Sequence, residues 1–269
     1  MVHLYEFVTL ARKDQELLHG ARTGDGNALA LHIHGSWGNF YENPFVLDVA
    51  QTYLDAGFTY ASVNNPGHDG GTITESFDES FAAIRDWCDQ LAPEAPVILQ
   101  AHSLGALKIL RLATHPDFAD FFERVSAVVL LSPFDLVGFY GGRNAERRRS
   151  HAKEFRDQFG GKAILPASIF DVWPISAETF LELSEPGSEY DLFPSRNHDV
   201  GALASLAIPT LVVLGGEDIA SDPTAVDVMT ALEAVEATSI LIDNAQHNFA
   251  GHETELAGCI QKFLATLTF

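Results

Sequence analysis

The stretch from Val97 to Ala113 constrains this chain more than any other. Val97-Ile98-Leu99-Gln100-Ala101 is a short apolar run rich in branched residues, the pattern of a buried strand, and Leu104, Leu107 and Leu110 follow at helical spacing. Ser103 therefore sits where strand turns into helix. A serine hydroxyl is a weak nucleophile until something exposes it, deprotonates it and stabilises the oxyanion it creates. A sharp turn at a strand end provides the exposure. The helix that starts there offers free backbone N–H groups and the positive end of its dipole, so the Leu104 N–H is a natural oxyanion donor. Residues two before and two after the serine must be small, because strand end and helix start pass close together, and Ala101 and Gly105 meet that need. The G-x-S-x-G form of such an elbow reads A-H-S-L-G here, with one added methyl at its first position.

Length and charge narrow the setting. The 269 residues suffice for one large α/β domain with an insertion, or two small domains, and with 46% hydrophobic and 20% charged residues a sizeable core is expected. A formal net charge of −21 repels nucleic acid and anionic membrane surfaces, so neither is expected as a partner. The first residues lack the basic and apolar regions of a signal peptide, and no apolar run approaches the roughly 20 residues that span a bilayer. A cytoplasmic protein is expected, with Cys88 and Cys259 as buried thiols on helices.

Along the chain, residues 4–9, 16–22 and 27–33 read as strands, the last two joined by a turn at Thr23-Gly24-Asp25-Gly26. The third strand delivers His34-Gly35-Ser36-Trp37, where a glycine lets the backbone approach a reacting carbonyl, and the Ser36 N–H is the expected second oxyanion donor, with that of Trp37 next in line. His32 and His34 lie two apart, but no carboxylate or cysteine cluster accompanies them, so no metal is expected. A helix over 44–56 and a strand over 58–63 lead into the glycine-rich Asn64–Gly71 loop, which lacks the residues of a phosphate loop, and His68 reads there as part of a turn. Ser76 and Glu79 form a capping box for a helix carrying Phe77, Phe81, Ile84, Trp87, Cys88 and Leu91 on one face. Alternating strands and helices imply a parallel sheet with right-handed crossovers.

After the buried strand Val125–Leu131 the pattern breaks. From Asp135 to Ser205 there is no comparable strand, only helical patches over 144–159 and 176–183, with Gly141-Gly142 and Gly160-Gly161 as hinges. This segment holds 8 cations against 11 acids, net −3, whereas the rest holds 8 against 26, net −18. Aromatics such as Phe139, Tyr140, Phe170 and Trp173 suit a helical cap lining an apolar pocket, although rings of this kind also serve to pack a cap onto a core. The Arg147-Arg148-Arg149 run reads as a solvated helix face. The sheet resumes at Pro209–Leu214, which empties into Gly215-Gly216-Glu217-Asp218, and a last strand, Ser239–Ile242, precedes Asp243–Phe249 with His247. Leu256, Ile260, Phe263, Leu264 and Leu267 give the closing helix an apolar face.

Chemistry in an open parallel sheet collects at the carboxyl ends of the strands, and Ser103, Asp218 and His247 each follow such an end. Through His34-Gly35, the Ala101–Gly105 elbow, Gly216-Glu217-Asp218 and His247, in the order serine, acid, histidine, the chain resembles the α/β-hydrolase superfamily over essentially its whole length. The resemblance implies an α/β-hydrolase fold, with a core of 1–134 and 206–269 and a cap of 135–205. It also implies Ser103 as nucleophile, His247 as base then acid, Asp218 as the group orienting His247, and Ser36 and Leu104 N–H groups as oxyanion hole. Glu217 and Asp222 are substitute acids on the same loop, Asp135 a more distant one, and His102 is structural. The serine argues against dehalogenase chemistry, which needs a carboxylate there. No cofactor is implied. The substrate expected is a small-molecule ester, largely apolar, cleaved through an acyl-enzyme. A thioesterase, lactonase, amidase or carbon–carbon bond hydrolase would use the same residues, and a ligand-binding protein on a hydrolase scaffold is the alternative of another class.

Overall fold

A computed structural model describes residues 5–12, 16–68, 72–133, 135–141, 144–192, 201–218 and 225–268. Eight strands form one sheet: β1 (Glu6–Ala11), β2 (Leu17–Thr23), β3 (Ala28–Ile33), β4 (Phe58–Val63), β5 (Val97–His102), β6 (Val125–Leu131), β7 (Thr210–Gly215) and β8 (Thr238–Ile242). Their spatial order is β1-β2-β4-β3-β5-β6-β7-β8, and from β4 to β8 every pairing is parallel. Every residue of β4, β5 and β7 is buried, which explains why these strands read as apolar runs rather than alternating ones.

The hairpin expected between β2 and β3 is absent, because β4 lies between them and pairs antiparallel with β2. The glycines of the connecting turn serve a crossing instead. A Cβ on Gly26 would fall 2.0 Å from the Gly57 carbonyl oxygen, and Gly24, at φ +87°, lies against Leu54 and Phe58. The chain thus slips past the entrance of β4.

Helices cover both faces. On one lie α1 (Val46–Asp55) and α10 (Glu253–Leu264), which bury Phe45, Tyr53, Leu256, Ile260 and Phe263 against the sheet. On the other lie α2 (Phe77–Leu91) and α3 (Leu104–Thr114). The Ser76 hydroxyl accepts from Glu79 N–H and the Glu79 carboxylate accepts from Ser76 N–H, so the capping box forms, and Phe81, Ile84, Trp87 and Cys88 are buried beyond it. Cys88 and Cys259 are free thiols in the apolar layers on opposite faces of the sheet.

Short helical turns follow α3, including α4 (Ala119–Phe122). Between β6 and β7 come α5 (Leu136–Gly141), α6 (Ala145–Phe159), α7 (Ala177–Ser184) and α8 (Gly201–Ala204), and α9 (Ala225–Leu232) precedes β8. The helices α5, α8 and α9 were not expected. Two glycines in α5 and the branched residues of α9 lower their intrinsic helicity, and packing supplies what propensity does not. Among the described residues no helix is long and apolar enough to cross a membrane.

The aromatics of the insertion stack chiefly on one another: Phe139 on Trp173 with ring centroids 5.3 Å apart, and Tyr140 on Phe170 at 5.4 Å. Within the arginine run, Arg149 is held, donating to the Ser184 carbonyl at 3.0 Å, while Arg147 is exposed. Gly160, at φ +93°, ends α6. Of the residues weighed in the sequence, Asp69–Gly71, Gly142 and Asp222 lie outside the described residues.

Candidate active site

Ser103 occupies the junction of β5 and α3 with φ 58° and ψ −125°, a backbone conformation that non-glycine residues rarely adopt. Neighbouring strands hold it there. Its N–H donates to the Leu131 carbonyl at 2.8 Å, and its own carbonyl accepts from Ala106 N–H at 2.9 Å, starting the helix. The close approach expected at the elbow is present: a Cβ on Gly105 would fall 2.6 Å from the carbonyl oxygens of both Ile33 and His34. Ser103 is 5% exposed.

Three side chains meet at this rim. The Ser103 hydroxyl donates to His247 Nε2 at 2.8 Å. His247 Nδ1–H donates to the Asp218 carboxylate, with distances of 2.9 and 3.0 Å to its two oxygens. Because a carboxylate only accepts, Asp218 fixes the tautomer and leaves Nε2 as the acceptor for the serine. The Asp218 side chain is fully buried, whereas His247 keeps 28% of its side chain exposed. The loops that carry them are joined directly, since Glu217 N–H donates to the Ala245 carbonyl at 2.9 Å and Gly216 N–H to that of Ile242 at 2.9 Å.

Glu217 and Asp135 face elsewhere. Glu217 is exposed to solvent, and the buried Asp135 accepts from Gly138 N–H at 2.8 Å, capping the start of α5. His102 donates Nε2–H to the His247 carbonyl at 2.8 Å and packs on Phe45. Burial, then the neighbouring His247, holds its pKa well below the ordinary value, so it is neutral. Its sequence position alone did not disclose this brace.

Gly35 lies against the serine: a Cβ there would fall 2.6 Å from Ser103 Cβ and 3.1 Å from its Oγ. The Ser36 hydroxyl is 3.0 Å from that of Tyr140 of α5, and Leu104, first residue of α3, has an N–H without a partner inside the helix. His32 and His34 diverge. His32 accepts at Nδ1 from Gln100 Nε2 at 2.9 Å, and burial brings its pKa down to about 3. His34 donates Nδ1–H to the Gly35 carbonyl at 2.8 Å and accepts at Nε2 from Asn65 N–H at 3.0 Å. Among the described residues no group of three or more His, Cys, Asp or Glu is placed to hold a metal ion.

His68 is more than part of a turn. It is fully buried, donating Nε2–H to Glu75, which also pairs with the buried Lys108. Burial pushes the Glu75 carboxyl up, but Lys108 and then His68 outweigh it and bring its pKa down to about 2. The one legible signal for this cluster is a lysine inside the otherwise apolar first turns of α3.

Comparison with known proteins shows the family. Residues 17–258 match the model of the alpha/beta hydrolase family, and the chain belongs to that family. No curated protein matches the sequence significantly. Among solved structures the chain is similar to Est1E from Butyrivibrio proteoclasticus, at 16% identity and TM-score 0.65, over 98% of this chain and 97% of that one; Est1E is also seen with ferulic acid bound. It is similar to a monoacylglycerol lipase from Paleococcus ferrophilus, at 19% identity and TM-score 0.66, over 93% and 98%. Mouse alpha/beta hydrolase domain-containing protein 10 superposes at TM-score 0.70 and 17% identity, over 98% and 100%.

Proposed function

We propose that the protein is a serine hydrolase that cleaves a small, largely apolar carboxylic ester through an acyl-enzyme. The observation that carries this reading is the unbroken hydrogen-bond chain from Ser103 Oγ through the imidazole of His247 to Asp218. In the first half-reaction Ser103 Oγ attacks the ester carbonyl carbon as His247 Nε2 takes its proton. Asp218 holds the resulting imidazolium, and the Ser36 and Leu104 N–H groups receive the oxyanion. Collapse expels the alcohol, protonated by His247, and leaves the acyl group on Ser103. Water, deprotonated by the same imidazole, then attacks that acyl group and frees the acid.

An ester is favoured because the structural relatives include Est1E, seen with ferulic acid, and a monoacylglycerol lipase. The apolar character rests on the insertion between β6 and β7, residues 135–205, which we read as a cap whose Tyr140, Phe170 and Trp173 pack together beside the site, where Tyr140 meets Ser36. Purified protein assayed against a panel of aryl and alkyl esters of graded acyl length tests the proposal. Turnover that vanishes in Ser103→Ala and His247→Ala supports it. A folded native chain that hydrolyses none of them, or a Ser103→Ala variant that retains turnover, contradicts it.

A further inference from the structure

The chemistry above leaves one set of buried charges unused. Lys108, on the same helix as the Ser103 elbow, is 1% exposed and pairs with Glu75, which is 2% exposed. Glu75 also takes the His68 Nε2–H and accepts from Ser80 Oγ at 2.5 Å. Removing an ammonium and a carboxylate from water costs several kcal/mol each, and an apolar pair of similar volume is often as stable. Stability alone therefore does not account for the cluster.

Its location does. The His68 ring stands edge-on to that of His34, with centroids 4.7 Å apart and planes at 69°. His34 in turn grips the Gly35 carbonyl through Nδ1–H, with its other nitrogen fixed by Asn65 N–H. In a trans peptide the carbonyl and the following N–H point to opposite sides, so a bond that fixes the Gly35 carbonyl also fixes the direction of the Ser36 N–H. The far side of the cluster is clamped as well: Thr179 Oγ1 of α7 donates to the Glu75 carbonyl at 2.9 Å, and Ser176 N–H to that of Ile73 at 2.8 Å.

We propose that Lys108, Glu75 and His68 are positioning residues for the oxyanion loop, acting through His34 on the Gly35–Ser36 peptide. The proposal rests on the reading of Ser36 as an oxyanion donor. The cluster joins the nucleophile helix, the loop after β4 and the insertion, and it stiffens the donor in the direction the tetrahedral intermediate requires. A rigid, pre-aimed donor stabilises the transition state without tightening substrate binding.

The test is the double variant Glu75→Leu/Lys108→Met, which removes both charges together and leaves neither unpaired. The expected result is a folded protein whose kcat falls about 10- to 100-fold, short of the roughly 100- to 1,000-fold that follows loss of a donor itself. KM is expected to stay within about twofold. Affinity for a trifluoromethyl ketone, which forms a tetrahedral oxyanion on Ser103, falls by the same factor as kcat. His34→Phe gives a comparable loss, and adding it to the double variant gives no further loss, because all three substitutions act by one route. A folded double variant with native kcat and native ketone affinity overturns the proposal, as does full additivity with His34→Phe. Should the double variant not fold, His68→Phe, which keeps a flat ring beside His34 and leaves the Glu75–Lys108 pair in place, is judged by the same two outcomes. A native chain that neither hydrolyses esters nor binds the ketone overturns this proposal and the catalytic reading together; active native protein with unchanged variants overturns this one alone.

Discussion

The Nε2–H of His102 donates to the backbone carbonyl of His247 at 2.8 Å, so the residue just before the nucleophile holds the loop that carries the proposed base. The two rings sit 4.9 Å apart, and the contact spans 145 positions of sequence. Replacing His102 by Phe keeps the buried ring but drops the bond. The expected outcome is a fall in kcat of about 10- to 100-fold, since a small misplacement of a proton-transfer group has effects of that order. Steady-state kinetics check it, with KM little changed.

Gly35 tests how tightly the oxyanion loop is laid on the serine. An alanine methyl there would meet Ser103 Cβ at 2.6 Å, nearer than such atoms come, so loop or serine must move. Gly35→Ala is expected to lower kcat/KM by about 100-fold or more. Thermal unfolding run beside the kinetics checks that the loss occurs in folded protein.

Two glycines on helices should respond with opposite sign. At Gly105 a methyl would press into two backbone carbonyls of the β3 end, and Gly105→Ala is expected to destabilise by about 1–3 kcal/mol. At Gly258, inside α10, a methyl meets nothing within 4 Å, and Gly258→Ala should stabilise by about 0.5–1 kcal/mol. Urea unfolding of the two variants measures both.

Acid stability follows from buried histidines. Burial lowers the pKa of His32 to about 3 and holds those of His34 and His102 well below the usual imidazole range. All three stay neutral in the fold while the unfolded chain protonates them near their ordinary value of about 6.5. Their stabilisation is therefore complete above that pH and is lost as pH falls below it. Glu182 works the other way, because burial raises its pKa to about 7 and the folded state holds a proton that the unfolded chain has released. Three protons taken up on unfolding against one released leaves about two, so between roughly pH 5 and 6 stability should rise with pH by about 2.7 kcal/mol per unit. Urea midpoints across that window check it; a flat profile would contradict the burial of these imidazoles.

Strands buried on both faces were legible because they must be apolar throughout, and β4 and β6 fall at Phe58–Val63 and Val125–Leu131 as read from the sequence. Ser103, Asp218 and His247 were legible as a set because each follows the end of a strand, in a chain order that few folds share. The strand order was harder: Gly24-Asp25-Gly26 carries the residues of a hairpin turn, and the pairing of β2 with β4, with Gly26 packed on Gly57, shows that it crosses β4 instead. Helix α5 was missed because its glycines and aromatics are poor helix formers that packing overrides. The Lys108–Glu75–His68 cluster was only hinted at by a lysine among the apolar first turns of α3, since its partners lie on a distant segment, the loop between β4 and α2, and nothing in the sequence pairs the two.

The most direct measurement is mass-spectrometric mapping of a fluorophosphonate probe on the purified protein. The expected result is one covalent adduct on Ser103, formed stoichiometrically by native protein and lost or greatly slowed in His247→Ala. Folded native protein that carries no adduct, or carries it on a residue other than Ser103, would contradict the claim that this serine, activated by His247 and Asp218, is the nucleophile.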